Sequence, residues 1–413
     1  MKPIARLGPN RSEHAAPRRP LRWATIICLL APSFVTAAAP AFQPEKPAAP
    51  TPAQPDKKPT PPAPLTPPPD QPTKPAPPKP ADGAAPIVTA QNNALADEIT
   101  PELNAAIARG LESLASEQNE DGSFGGGRYN KNVAVTALAC LAFMADGNLP
   151  TRGKYKNIVK KGLEFVLSSS AETGLLAADT TNGPMYGHGF ATLFLGEVYG
   201  MTGGGGETEL SKRTHETLVK AINLIVKTQN DEGGWRYNPV PYDADISVTI
   251  CQIMALRSAR NAGIEVPKDT IDKAVDYVRK CQNPDGGFKY QLQTGMSMWP
   301  RSAAGVASLF YAGIYKDEAI DKGLRYLQDN ASPGTMGQGA AHYFYGHYYA
   351  VQSMYLAGGE YWAKWWPAIR QELITRQQTD GSWPDPSVGP SYGTAMALII
   401  LQMPKRFLPI FQK

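Results

Sequence analysis

Charge is scarce in this 413-residue chain: only 19% of its residues are Asp, Glu, Lys or Arg. What positive charge there is sits at the start. Residues 1–41 carry Lys2, Arg6, Arg11, Arg18, Arg19 and Arg22 against Glu13, a net +5, so the formal +4 of the whole chain leaves −1 for everything after them. A near-neutral body without a basic run offers no electrostatic footprint for nucleic acid, and that class of partner is excluded. Cysteine is equally rare, four in all. Setting aside Cys28, the remaining Cys140, Cys251 and Cys281 are odd in number and lie in helix-like apolar patterns, which predicts buried thiols and no disulfide framework. Long apolar runs are missing too. The run Trp23–Val35 has 13 residues, too few to span a bilayer comfortably as a helix.

That run is instead preceded by basic residues and followed by Thr36-Ala-Ala-Ala-Pro-Ala41, the layout of a secretory signal peptide over residues 1–41. Pro40 blocks cleavage after Ala39, leaving Ala37 or Ala41 as the last residue removed. An uncleaved N-terminal anchor is the alternative. Arg18-Arg19-Pro-Leu-Arg loosely resembles a twin-arginine signal. The expected location is therefore extracytoplasmic, with no transmembrane segment after processing. Residues 42–97 form the next segment. Eighteen of the 39 prolines fall between Pro44 and Pro86, with almost no large apolar residue among them, so this stretch cannot build a core and reads as a disordered, semi-rigid spacer. One large domain is left, residues 98–413.

The domain repeats itself. Gln118-Asn-Glu-Asp-Gly-Ser-Phe124 recurs as Gln229-Asn-Asp-Glu-Gly-Gly-Trp235, Gln282-Asn-Pro-Asp-Gly-Gly-Phe288 and Gln377-Gln-Thr-Asp-Gly-Ser-Trp383. Phe124 and Trp383 are 259 residues apart, and Trp235 and Phe288 are 53 apart. Six repeats fit that span, two of them without the motif, and a period near 50 indicates stacked supersecondary units. Each unit reads as an amphipathic helix ending at the motif (Ile107–Ala115, Val159–Leu167, Leu218–Val226, Ile271–Arg279, Ala319–Leu327, Ile369–Thr375). A more apolar helix follows (Val133–Ala145, Gly189–Tyr199, Ser247–Ala259, Ala303–Ala312, Tyr348–Leu356, Tyr392–Leu401). The acid-Gly pair of the motif stops the first helix and turns the chain. Six buried helices inside six amphipathic ones make an all-α, closed (α/α)6 toroid.

These motifs, their spacing and the paired helices resemble the prenyltransferase and squalene-cyclase repeat superfamily, from Leu103 to about Met403. The resemblance implies a toroid of α/α hairpins. It is weaker for activity, because triterpene cyclases carry a second barrel for which this chain has no room. The Gly-Cys-Gly-Glu-Gln thioester of complement-type toroids is absent, as is any phosphate-binding glycine loop.

Residues just before the inner helices are expected at one rim of the barrel. Tyr186-Gly-His188-Gly-Phe190 and Tyr345-Gly-His347-Tyr-Tyr349 are the same element in two repeats, and place His188 and His347 at equivalent positions. Asp243-Ala-Asp245-Ile-Ser247 and Trp299-Pro-Arg301 add two carboxylates, a guanidinium and an indole. Tyr186, Tyr345, Tyr348, Trp299, Arg301, His188 and His347 are the candidate ligand contacts. In the cyclases that the chain resembles, an Asp-x-Asp-Asp motif protonates an alkene or epoxide. Asp243 and Asp245 match its first two acids, with Asp245 at the donor's place, but Ile246 replaces the last. Alternatively, Asp245 or Ser247 caps the helix beginning near Val248.

The protein prenyltransferases bind zinc through Asp-x-Cys and a later His. Here Cys251 lies about 600° round a helix from Asp245, so the two do not face a common point, and no metal is expected. Asp243 or Asp245 with His188 and His347 is the one nitrogen–oxygen zinc set available. No other cofactor is expected. Three functions stay open: a module binding an apolar, isoprenoid-like molecule or a protein segment at the mouth, a cyclase-like enzyme using Asp245, and a polysaccharide-acting (α/α)6 enzyme.

Overall fold

A computed structural model describes residues 98–178, 183–203, 208–335 and 340–412. The signal-peptide and linker expectations lie outside these residues. Among the described residues twelve α-helices alternate between two layers. The outer layer is α1 (Pro101–Ser116), α3 (Lys156–Ser168), α5 (Glu209–Lys227), α7 (Lys268–Lys280), α9 (Glu318–Asn330) and α11 (Gly359–Arg376). The inner layer is α2 (Val133–Met144), α4 (Pro184–Met201), α6 (Ile246–Asn261), α8 (Trp299–Tyr311), α10 (Tyr343–Ala357) and α12 (Pro390–Leu401). Inner helices pack in chain order, each on the next, and α12 packs on α2. The ring is closed.

Composition assigns each helix to its layer. α2 is apolar nearly all round, and every residue in it except Ala134 is buried, which is what a helix with neighbours on all sides requires. The outer helix α7 buries only Thr270, Ala274, Val275, Tyr277 and Val278, a single stripe, and leaves its lysines and aspartates in water. Capping residues set the helix starts: Thr100 accepts from the Leu103 N–H, Asn132 from Val135, and Asp317 from Ala319. The inner helices begin earlier than the sequence pattern predicts, at Pro184, Trp299 and Tyr343 rather than Gly189, Ala303 and Tyr348. Proline in the first turn of α4 and α8 is compatible with helix, since the N–H it lacks has no partner there.

The repeated motif welds one unit to the next. Gly122 has φ 88° and Gly381 φ 85°. A Cβ on Gly122 would lie 2.4 Å from the Lys161 carbonyl oxygen, and one on Gly381 2.5 Å from that of Arg109. Positive φ and close approach to the following outer helix both demand glycine. The motif glutamine spans the same junction. Gln118 Nε2 donates to the Ile158 carbonyl (2.9 Å), Gln229 to Thr270 (2.8 Å) and Gln282 to Ala319 (2.8 Å). In the sixth repeat Gln377 donates to Ala106 in α1 at 2.9 Å, joining the last unit to the first. The aromatics Phe124, Trp235, Phe288 and Trp383 are buried. Both tryptophan Nε1–H groups donate to the outer helix just before them, Trp235 to the Ile225 carbonyl and Trp383 to Leu373.

The end of the barrel opposite the motif turns is crossed by the C-terminal segment. After α12, two short 3-10 turns (Met403–Lys405 and Pro409–Phe411) carry the chain over to α4 and α6. Leu408, Ile410 and Phe411 are buried there. Gln402 Nε2 donates to the Ala142 carbonyl at 2.9 Å, and Lys405 pairs with Asp146. No helix among the described residues is long and apolar enough to cross a membrane.

Candidate functional site at the barrel mouth

The open end of the toroid lies at the N-termini of the inner helices, and the segment from Trp235 to α6 dominates it. Asp245 caps α6: its Oδ1 accepts from the Ser247 and Val248 N–H groups, each at 2.9 Å. Its own N–H donates to the Trp235 carbonyl, so the loop returns to the motif that it left. The side chain is completely buried. Oδ2 makes no well-formed hydrogen bond and faces Arg236, whose Nε is 3.7 Å away. Burial pushes the Asp245 carboxyl up to about 6, against the lowering effects of the Val248 N–H, Tyr290, the Ser247 N–H and Arg236. Arg236 also pairs directly with Asp243. One guanidinium therefore neutralises both acids of the Asp-x-Asp pair.

Aromatic rings surround this group. The guanidinium of Arg236 lies 5.0 Å from the Tyr237 ring centre and 5.9 Å from that of Tyr290. The Tyr237 and Tyr290 hydroxyls are hydrogen-bonded to each other. Tyr186 stands 6.1 Å from Tyr237, and the Tyr345 hydroxyl donates to the Ser247 carbonyl at 3.2 Å. Arg301 holds the neighbouring loop, donating from Nε to Phe288 (3.1 Å) and from a terminal nitrogen to Met296 (2.6 Å). Gln291 donates to the Ala244 carbonyl and Ile246 to Tyr290, tying the two loops together. Their outer edges carry Val240, Tyr242, Met296 and Met298, four of the six exposed large hydrophobic side chains among the described residues. A cleft of about 340 Å³ opens beside Arg236, Tyr237, Val240 and Asp243.

Below the mouth the barrel axis is occupied. Phe190 of α4 and Tyr348 of α10, from opposite sides of the ring, meet edge to face at 6.2 Å, and Tyr348 contacts Tyr349 at 4.8 Å. The Tyr349 hydroxyl reaches Cys251 Sγ across the axis at 3.4 Å. Burial pushes that thiol up to about 12, so it is inert. Tyr348 is thus an axial packing residue, completely enclosed, rather than a rim contact.

The two histidines are also not on the opening, which corrects the expectation for His188 and His347. Both are fully buried between the inner and outer layers. His188 Nδ1 accepts from the Leu176 N–H at 3.2 Å while Nε2 pairs with the Ala221 carbonyl of α5 at 3.2 Å. Burial holds its pKa down at about 4. His347 is packed among Tyr343 (4.5 Å), Trp299 (5.0 Å) and Trp365 of α11 (5.8 Å), and burial brings it to about 3, helped by the charge of Arg376. Trp299 lies flat against Gly346, where any Cβ would come within 2.1 Å of its ring. The histidines therefore cannot join Asp243 or Asp245 around one ion. No group of three or more His, Cys, Asp or Glu among the described residues is placed to hold a metal.

Asp243, Asp245, Tyr186, Tyr345 and Arg301 do converge on the mouth. Arg236, Tyr237 and Tyr290 belong there as well and are not singled out by sequence; the one available signal is that Arg236 follows a motif tryptophan directly. Glu197 is a further omission, the single acid within the six inner helices.

Comparison with known proteins agrees with this architecture. Residues 91–185 match the prenyltransferase alpha-alpha toroid domain, and residues 206–339 the squalene-hopene cyclase C-terminal domain. The repeats and the toroid are those of the prenyltransferase and squalene-cyclase repeat superfamily. Over 136 residues the chain is 26% identical to the terpene cyclase-glycosyl transferase fusion protein fsoA of Humicola fuscoatra, covering 31% of this chain. It spans only 10% of the length of that relative.

Solved structures share the fold, and two of them illustrate it. One is the type II terpene cyclase MstE from Scytonema with geranylgeranyl dihydroxybenzoate, at 15% identity and TM-score 0.51, covering 74% of this chain and 98% of that one. The other is an inactive variant of the α-1,6-mannanase GH76A of Salegentibacter sp. HEL1_6 with α-1,6-mannotriose, at 9% identity and TM-score 0.55, covering 73% and 98%. At these identities the likeness is one of fold.

Proposed function

We propose that this is an exported binding module whose toroid mouth takes an extended segment of a partner protein. The observation that carries the reading is the filled axis. With Phe190, Tyr348 and Tyr349 meeting across the barrel, a long isoprenoid has no channel at that level to enter. Apolar surface is instead displayed outward, on the Val240–Tyr242 and Met296–Met298 loops, where it favours contact with another macromolecule. The tyrosines and Arg236 beneath suit such a segment, because aromatic and arginine side chains dominate protein contact surfaces.

The test is site-specific photo-crosslinking in the source cells, with benzoylphenylalanine in place of Tyr242 and, as control, of Lys212 on the outer helix α5. A discrete protein adduct at 242 and not at 212 is expected. Adducts of lipid mass alone, or equal labelling at both positions, would remove the proposal.

A second reading keeps Asp245 as an acid. Its raised pKa and hydrogen-bond-free Oδ2 favour it. Incubating the full-length protein with squalene or a geranylgeranyl substrate decides the matter: a cyclic product made by the parent and lost in Asp245→Asn would establish the enzyme. Polysaccharide cleavage has less support, since Asp243 and Asp245 share Arg236 on one wall rather than facing each other across a bound sugar.

A further inference from the structure

At the other end of the barrel, one buried carboxyl group is divided between the ring and the C-terminal segment. Glu197 lies in the last turns of α4 and is 1% exposed. Its Oε1 accepts from Ser258 Oγ of α6 at 2.7 Å, and its Oε2 accepts from the backbone N–H of Ile410 at 3.0 Å. Ile410 is flanked by Leu408 and Phe411, all three buried. The contact is thus the polar centre of an apolar plug.

We propose that Glu197 is a proton-controlled latch for the C-terminal segment, which seals this end of the barrel when Glu197 is protonated and loosens when it ionises. The groups around the carboxyl set the sign. From α6 comes Ser258, from α8 Tyr311, on which the charge of Arg257 acts, and from α10 Tyr348; the tail contributes the Ile410 amide. Lys405, the cation of the tail, is paired with Asp146 in the turn after α2. Among the described residues no cation pairs with Glu197, so burial outweighs its two hydrogen bonds and pushes it up to about 7 from 4.5. A group with a raised native pKa releases its proton on opening. The latch is therefore firmest below about pH 4.5, weakens as pH rises to about 7 and changes no further above that.

Hydrogen–deuterium exchange of the full chain, corrected for intrinsic rates, reads the opening of residues 403–412. Protection of the Ile410 and Phe411 amides should fall up to about tenfold per pH unit between pH 5 and 7 and level off above. Glu197→Gln keeps an acceptor for Ile410 but cannot ionise, and should flatten the profile. Ser258→Ala removes a bond that lowers the Glu197 pKa and should move the plateau to higher pH; it serves if the Gln variant does not fold. A tail whose corrected protection is independent of pH in the parent would overturn the latch. So would a slope that survives in Glu197→Gln, or a plateau that Ser258→Ala leaves in place.

Discussion

The N–H of Leu176 donates to Nδ1 of His188 at 3.2 Å, in the place where four other repeats pair the N–H of the motif aromatic with a hydroxyl. Phe124 donates to Thr136 (2.8 Å), Trp235 to Thr249 (3.1 Å), Phe288 to Ser302 (2.8 Å) and Trp383 to Thr394 (3.0 Å). Where the aromatic has shrunk to leucine, the inner helix supplies an imidazole in place of a hydroxyl. The larger ring fills the space and reaches an outer-helix carbonyl, as the motif tryptophans do. Sequence repeats the exchange in the fifth unit, where Met336 stands at the aromatic position and His347 at the hydroxyl position.

This exchange makes a double-mutant prediction. His188→Thr alone should destabilise by about 2–4 kcal/mol, through a cavity and an unpaired Ala221 carbonyl. Adding Leu176→Phe should recover about half of that loss. Chemical denaturation of the four members of the cycle measures it, and strictly additive losses would show that the two positions do not compensate.

Gln377 is expected to matter for ring closure. Gln377→Ala leaves the Ala106 and Gly381 carbonyls without their donor and should cost about 1–3 kcal/mol. Hydrogen exchange should place the loosening in α1, more than 260 residues away in sequence. Gln229→Ala, at an ordinary junction, should loosen α7 instead.

Trp235→Ala and Trp383→Ala should each destabilise by about 3–5 kcal/mol, since both rings are enclosed and both indole N–H groups are bonded. Equal melting of either variant and the parent would mean that the motif aromatics do not lock the units.

Asp245 gives a prediction with a sign. As a cap it needs only to accept hydrogen bonds, so Asp245→Asn should hold α6 while Asp245→Ala costs about 1 kcal/mol. The folded pKa of about 6 is raised above 3.8, so the stability linked to this proton is fully present below about pH 4 and lost as pH rises through 6. That loss, on the order of 2–3 kcal/mol, should be absent from the pH profile of Asp245→Asn. A profile that keeps its slope would assign the titration to another group.

The toroid is legible in the sequence because its signals are local and repeated: a glycine turn, a glutamine and an aromatic at a fixed period, each followed by an apolar helix. The cap is legible for the same reason, since Asp245 directly precedes its helix. The histidines are misplaced by a few residues of helix register. Gly346 and the aromatics from Tyr343 to His347 read as loop, yet they lie within α10, and that added turn carries His347 off the rim and into the wall. Arg236 is invisible because its pairing with Asp243 and Asp245 depends on how a ten-residue loop folds back. The tail plug is missed because its apolar residues, Leu408, Ile410 and Phe411, carry no periodicity.

The bond from Gln377 to Ala106 has one more consequence. An open stack of helical repeats has two ends, each with one neighbour, and loses structure from those ends inward. Here every unit has two neighbours and no terminal unit exists. Unfolding must therefore begin by parting an intact seam, which exposes two faces at once, and the domain should melt in a single step with no frayed intermediate.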